Sequence, residues 1–189
     1  MTSLCKGANC TGLFDKFKKA VSTEPSAPAT PAAITAQASD FALCFPVSGK
    51  AVKMADMPDP VFSGEVLGKV CAIWPENDVV YAPVSREVTV TMGHAVGLKS
   101  DSGVEVLVHV GVDTVDMKGR GFTGYVKQGD HVSAGNPMIK IDRSEIAAAG
   151  HPGCVVLAVS NTAEYASVTM TAEADAHVDA GAAVVEVAK

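Results

Sequence analysis

The chain has 189 residues, 48% of them apolar and 19% charged, which excludes intrinsic disorder and leaves enough side chain for one substantial core. A formal net charge of −6 excludes nucleic acid as the main partner, because no basic stripe is present to neutralise phosphates. No apolar run reaches the roughly 18 residues of a membrane span, and no secretory h-region stands at the N-terminus, so a cytoplasmic location with reduced cysteines is expected.

In chain order, the first pattern is at residues 11–22, TGLFDKFKKAVS. Leu13, Phe14, Phe17, Ala20 and Val21 share one helical face, Asp15, Lys16, Lys18 and Lys19 take the other, and Thr11 is a suitable N-cap. The spacing predicts an amphipathic helix over 12–22 that makes weak, reversible contact with a membrane surface. Residues 23–39 are a Pro/Ala/Ser/Thr linker expected to have little capacity to order, so the helix is tethered rather than part of the core. Residues 40–189 then carry many short strand-like runs broken by Gly and Pro, with helical character only at 143–149. That pattern predicts an all-β domain, an antiparallel sandwich or barrel. Cys44, Cys71 and Cys154 sit in its apolar runs as small hydrophobes do. Cys5 and Cys10 have no neighbouring histidine to complete a metal site.

Two internal echoes indicate a duplicated β-unit. Pro46-Val47-Ser48 recurs as Pro83-Val84-Ser85, and GDHVSAGNPMIKID at 129–142 recurs as DAHVDAGAAVVEVA at 175–188. His131 and His177 fall at equivalent turn corners and His151 in a Gly/Pro loop, so all three read as structural or solvated.

The remaining histidines, His94 and His109, flank the turn-forming run Ser100-Asp101-Ser102-Gly103. A four-residue turn sets Leu98 opposite Glu105, Val96 opposite Leu107 and His94 opposite His109, with the two imidazoles on one rung. Val104, Val106, Val108 and Val110 then face the core, and the histidines face away from it. Such a pair suits three chemistries, of which nucleophilic Ser or Cys catalysis has the least support. The pair supplies two of the four ligands zinc needs. Alternatively, one neutral imidazole accepts a group covalently while the second donates to the oxygens of a transferring phosphoryl group. No G-x-S-x-G nucleophile motif is present.

VLVHVGVDTV (106–115), preceded by GHAVGLKSDSGVE (93–105), resembles the active-site signature of the glucose-type enzyme IIA of the bacterial phosphoenolpyruvate-dependent sugar phosphotransferase system. The resemblance runs through PVSGKAV (46–52), MPDPVFSGEVLGKVCAI (57–73), YAPVSREV (81–88), KGRGF (118–122) and LAVSN (157–161). Residues 12–22 look like the membrane-anchoring helix of the free-standing glucose-specific member. The resemblance implies an antiparallel β-sandwich of duplicated hybrid motifs. It implies that His109 takes phosphate from the histidine-containing phosphocarrier protein and passes it to enzyme IIB of a sugar permease, for uptake of a sugar such as glucose or N-acetylglucosamine. His94 would contact the phosphoryl group, and Gly111 would offer its carbonyl to the His109 ring. Asp59 and Asp113 match acidic positions that pair with basic carrier residues, and Val61, Phe62, Val66 and Leu107 match the apolar docking surface. No cofactor is required, although in regulatory complexes His94 and His109 can join a partner carboxylate around zinc. Two positions depart from the family: Met92 replaces a threonine two residues before the first histidine, and Arg86-Glu87 replace a turn that often holds glycine. The competing expectations are a regulatory protein whose phosphorylation state is read by partners, and a zinc hydrolase of related fold.

Overall fold

The computed structural model describes residues 29–53, 56, 57, 59–66, 68–171 and 173–189, and the helix predicted over 12–22 lies outside them. Short β-branched runs between glycine- and proline-rich turns make β1 (Ala42–Cys44), β2 (Gly49–Lys53), β3 (Lys69–Pro75), β4 (Val79–Tyr81) and β5 (Arg86–Thr91). They continue as β6 (Ala95–Lys99), β7 (Glu105–Val110), β8 (Phe122–Gly124), β9 (His131–Val132) and β10 (Pro137–Ile141). The last four are β11 (Val155–Val159), β12 (Ser167–Met170), β13 (His177–Val178) and β14 (Ala183–Ala188). Helix α1 (Pro60–Ser63) follows β2, and α2 (Arg143–Ala148) falls where helical character was predicted.

An eight-stranded sheet of order β13-β2-β3-β11-β7-β6-β5-β9 faces two three-stranded sheets, β1-β14-β12 and β4-β10-β8. Every pairing among these strands is antiparallel. The main core lies between them, with Leu43, Phe45, Ile73, Leu98, Met138, Ile139 and Leu157 all essentially inaccessible. Cys44, Cys71 and Cys154 are buried free thiols, and burial pushes them up to about 11, 12 and 12, so none is a thiolate at neutral pH.

The two echoes interlock. Ser48 Oγ accepts from Ala180 N at 2.9 Å, and Ser85 Oγ accepts from Ala134 N at 2.9 Å. Gly181 N donates to Phe45 O and Gly135 N to Ala82 O, at 2.8 and 2.9 Å. Each Pro-Val-Ser turn thus seats the Ala-Gly corner of the other motif, which joins the two copies across one core.

The linker expectation is corrected over its second half. Ile34 N donates to Gly135 O at 3.0 Å and Gln37 N to Gly181 O at 2.6 Å, so this stretch docks across both Ala-Gly corners. Only glycine permits the approach. A Cβ at Gly135 would lie 2.2 Å from Ile34 O, and one at Gly181 would lie 2.3 Å from Thr35 O. Composition hid this because the anchoring hydrogen bonds are made by backbone, not by side chains.

Arg86 adopts φ +126°, a conformation glycine takes readily, and its guanidinium pairs with Asp101.

Candidate functional site

The histidine hairpin differs from its predicted register by one residue. Pairs run Ala95↔His109, Val96↔Val108, Gly97↔Leu107, Leu98↔Val106 and Lys99↔Glu105, so His94 precedes the strand and is not opposite His109. The loop is longer than predicted because Ser100 folds around Val104. Ser100 N donates to Val104 O at 2.9 Å, and Val104 N donates to Ser100 Oγ at 3.1 Å. A one-residue slip moves every side chain to the other face. Val96 and Leu98 therefore join Val106 and Val108 in the core, as their burial confirms.

His109 does lie on the outer face, on a rung with Ala72, Val156 and Ala95. Small Ala95 leaves room above its neighbour, and His94 fills it from the turn. The two imidazole centroids are 4.9 Å apart with planes at 74°. That turn is pinned by Met92 N donating to Ala95 O at 2.9 Å and Val110 N donating to His94 O at 2.8 Å.

A second, smaller apolar cluster covers the outer face beside His109, built from Met57, Phe62, Ala72, Val112, Cys154 and Val156. Helix α1 supplies Phe62. Asp59 is its N-cap, accepting from Val61 N at 2.8 Å and Phe62 N at 3.0 Å, and Pro60 opens the first turn. The phenyl ring meets His109 edge to face at a centroid distance of 5.5 Å. Phe62 is only 4% exposed, which corrects its assignment to a docking surface: it is a wall of the site. Of the other predicted docking residues, Val61 and Val66 are exposed, Leu107 is half-buried two residues from His109, and Asp113 is exposed at φ +58°. Met92, noted above only as a departure from the family, and Val115 were not among the predicted docking residues, yet they are 52% and 62% exposed. Their signal was position alone, next to His94 and after the H-x-G-x-D-T run.

Beyond His109 the chain turns at Gly111, buried, with φ +77°. Gly111 N donates to Cys154 O at 2.6 Å and Val112 N to Pro152 O at 3.0 Å, and Thr114 Oγ1 donates to Val110 O. His109 Nδ1 is buried and has no hydrogen bond of good geometry. The Gly111 backbone is still close enough to favour the protonated ring. An Nδ1–H turned toward that backbone leaves Nε2 with the free lone pair.

Burial, then the neighbouring His94, lower the His109 pKa from 6.5 to about 4, against the opposing pull of the Gly111 backbone and Asp59. Burial also lowers His94, opposed by the Met92 backbone. Both rings are therefore neutral at pH 7. In an imidazole nitrogen NMR titration, the His109 midpoint is expected near 4, not 6.5. Between those values the unfolded chain holds a proton that the folded chain does not. Stability is thus complete above pH 6.5 and falls as pH drops toward 4, by roughly 3 kcal/mol for a His109 shift of this size. A midpoint near 6.5 would refute the buried, neutral assignment.

Residues 41–165 match the family described as phosphoenolpyruvate-dependent sugar phosphotransferase system, EIIA 1. The chain belongs to this family. As an enzyme IIA it is a phosphotransferase component that carries phosphoryl groups within the system. It is 40% identical over 122 residues to the β-glucoside-specific EIIBCA component of Bacillus subtilis, covering 64% of this chain and 20% of that protein. It is 42% identical over 125 residues to the mannose-specific EIIBCA component of Corynebacterium glutamicum, covering 65% and 18%. The chain thus spans about a fifth of those two relatives. With the glucose-specific EIIA component of Staphylococcus aureus it shares 35% identity over 133 residues, 69% of this chain and 80% of that one. The solved glucose permease IIA of Mycoplasma capricolum superposes with a TM-score of 0.67 at 30% identity, covering 77% of this chain and 94% of that one. The enzyme IIA fold is thereby the β-sandwich expected, and the zinc hydrolase reading is not favoured. Among the described residues no group of three or more His, Cys, Asp or Glu is arranged to hold a metal. No helix among the described residues is long and apolar enough to cross a membrane.

Proposed function

We propose that His109 is the phosphoryl acceptor of this enzyme IIA, that His94 assists the transfer, and that Gly111 sets the tautomer. The observation carrying this reading is the close pair of imidazoles at 4.9 Å, in which the His109 Nδ1 is buried and the Gly111 backbone lies near the ring. The Nε2 lone pair attacks the phosphorus of a phosphohistidine on the phosphocarrier protein. The new N–P bond forms as the old one breaks, and its electron pair returns to the carrier's ring. No proton need move at either ring. The arriving phosphoryl dianion raises the proton affinity of His94. Once charged, that ring can keep one N–H on the Met92 carbonyl and offer the other to a phosphoryl oxygen. In the second half-reaction the same geometry delivers the group to enzyme IIB.

Both partners would use the exposed surface around the pair. Val61, Val66, Met92 and Val115 supply apolar area, with Leu107 at its base, and Asp59 and Asp113 supply negative charge toward basic carrier residues. Residues 12–22 would add weak membrane-surface contact, which brings the carrier near a permease.

The test is radiolabel transfer. Phosphoenolpyruvate with the two general upstream proteins should place acid-labile label on the chain. Exposure to a panel of enzyme IIB domains, including those specific for glucose, N-acetylglucosamine, β-glucosides and mannose, should discharge it onto one of them. A chain that takes no label, or passes it to none, sinks the reading.

A further inference from the structure

We propose that Phe122 is a positioning residue for His94: its ring, delivered by the opposite sheet, closes a row of four rings and fixes the direction in which the His94 imidazole points. The proposal rests on the phosphoryl-carrier reading given above.

The row runs Phe62, His109, His94, Phe122, with successive centroid distances of 5.5, 4.9 and 6.4 Å and interplanar angles of 61°, 74° and 63°. All three contacts are edge to face, the arrangement that matches the positive rim of one ring to the negative face of the next. The two imidazoles are thus held between two phenyl rings, and the ends of the row come from different parts of the fold. Phe62 stands on α1, seated by its Asp59 cap. Phe122 opens β8, in register with Ile141 of β10, and packs on the main core.

His94 needs such a support more than His109 does. His109 lies within a strand, and β6 and β11 pair on both sides of it. His94 sits in the turn before β6, where backbone bonds fix its Cα and the Met92 backbone holds one edge of its ring without fixing the ring plane. Yet the residue is 8% exposed, so something covers it. The loop preceding Phe122 comes close to this turn: a Cβ on Gly93, which has φ +66°, would lie 3.6 Å from the Gly119 Cα. Gly119 and Gly121, at φ +84° and +79°, bend that loop so that Phe122 arrives beside the imidazole. Lys118 and Arg120 on the same loop are exposed, and Arg120 lies 3.8 Å from Glu145. The phenyl ring, not a charge, is therefore what the loop presents to His94.

A ring held this way directs its N–H at one place. The orientation matters most while the phosphoryl group is moving, because misplacement of a donor by about 1 Å can cost about a hundredfold. Its loss should therefore slow turnover rather than weaken docking.

The experiment compares the full chain with Phe122→Leu, which keeps apolar volume without a ring, and Phe122→Tyr, which keeps the ring. In the wild type, NOEs should connect the Phe122 ring protons to the His94 imidazole, and nitrogen shifts at one fixed pH should show a single His94 tautomer. Phe122→Leu should mix the tautomers and lower kcat for onward transfer to enzyme IIB by about tenfold or more, with KM little changed. Phe122→Tyr should restore both. Missing NOEs, an unchanged kcat in Phe122→Leu, or a rise in KM alone would overturn the proposal. Should Phe122→Leu fail to fold, the NOEs and the tautomer state of the wild type decide. A wild type that accepts no label overturns the carrier reading and, with it, the role, and it is recognised separately because the NOEs need no phosphotransfer.

Discussion

His109→Gln takes no acid-labile label from phosphoenolpyruvate and the upstream proteins, a loss below detection rather than a slowing. The replacement keeps a polar side chain of similar reach, and the fold should survive because the packing around this position is supplied by others. Phe62, Val156 and Ala72 hold the outer cluster together without the imidazole. What disappears is the lone pair that we propose attacks the phosphorus. Glutamine has no nucleophilic nitrogen near neutral pH, and His94 cannot substitute, since it stands in the turn with its ring against Phe122 and not in the Gly111 cradle. His94→Gln should behave differently. An amide can still donate to a phosphoryl oxygen, so His109 continues to accept label. Onward transfer falls, by about 10² if the imidazole contributes as one oxyanion donor does. Persistent label in His109→Gln, stable to base and lost in acid, would place the phosphoryl group elsewhere and refute the assignment.

The contrast between the two histidines also shows what the sequence could and could not reveal. Alternating valines at 104–110 and the H-x-G-x-D-T run put His109 on an outward strand face, and the structure agrees. The position of His94 depended on the two bonds between Ser100 and Val104, which lengthen the loop and shift the register by one. Turn composition cannot report those bonds, because a four-residue and a five-residue turn draw on the same residues. The pair still meets, for a reason outside the pairing logic: Ala95 is small enough for the preceding residue to lean over His109. The duplicated motif was legible because it repeats actual residues, Pro-Val-Ser and Ala-Gly, each needed for a specific contact. Phe62 was misread because the resemblance supplied a neighbourhood and not a direction. In a four-residue helix, Val61 points out and Phe62 points in, and the Asp59 cap decides which is which.

Met92 becomes intelligible in the same way. The threonine it replaces would bring a hydroxyl to the first histidine, but the backbone of residue 92 lies against His94 whatever its side chain, and it favours the charged ring. The side chain is released to the surface, where a flexible thioether adds adaptable apolar area to the face that we propose docks the carriers. This accounts for the substitution without loss of the polar support it first suggested.

Gly111→Ala is expected to cost stability and transfer together, which makes it a sharper probe of the cradle than any change of a polar residue. A Cβ at this position would lie 2.2 Å from Thr114 Cγ2 and 3.2 Å from Pro152 O. The residue also holds φ +77°, where an alanine is strained by about 1–2 kcal/mol even in open space. Overlap with a buried threonine adds about 1–3 kcal/mol, so a total destabilisation of roughly 2–5 kcal/mol should appear as a lower denaturation midpoint with an unchanged slope. Relief can come only by moving Thr114 or by pulling residue 111 away from β11. The first movement breaks the Thr114 bond to Val110 O, and the second breaks the 2.6 Å bond from Gly111 N to Cys154 O. Either one shifts the Gly111 backbone beside the His109 ring, so the surviving folded fraction should take label more slowly than wild type. Thr114→Ser separates the two effects, because it removes the methyl that the new Cβ would strike and keeps the hydroxyl. Paired with Gly111→Ala, it should recover much of the overlap cost and leave the φ strain. If the double variant is no more stable than Gly111→Ala alone, the contact with Thr114 is not what makes glycine necessary here.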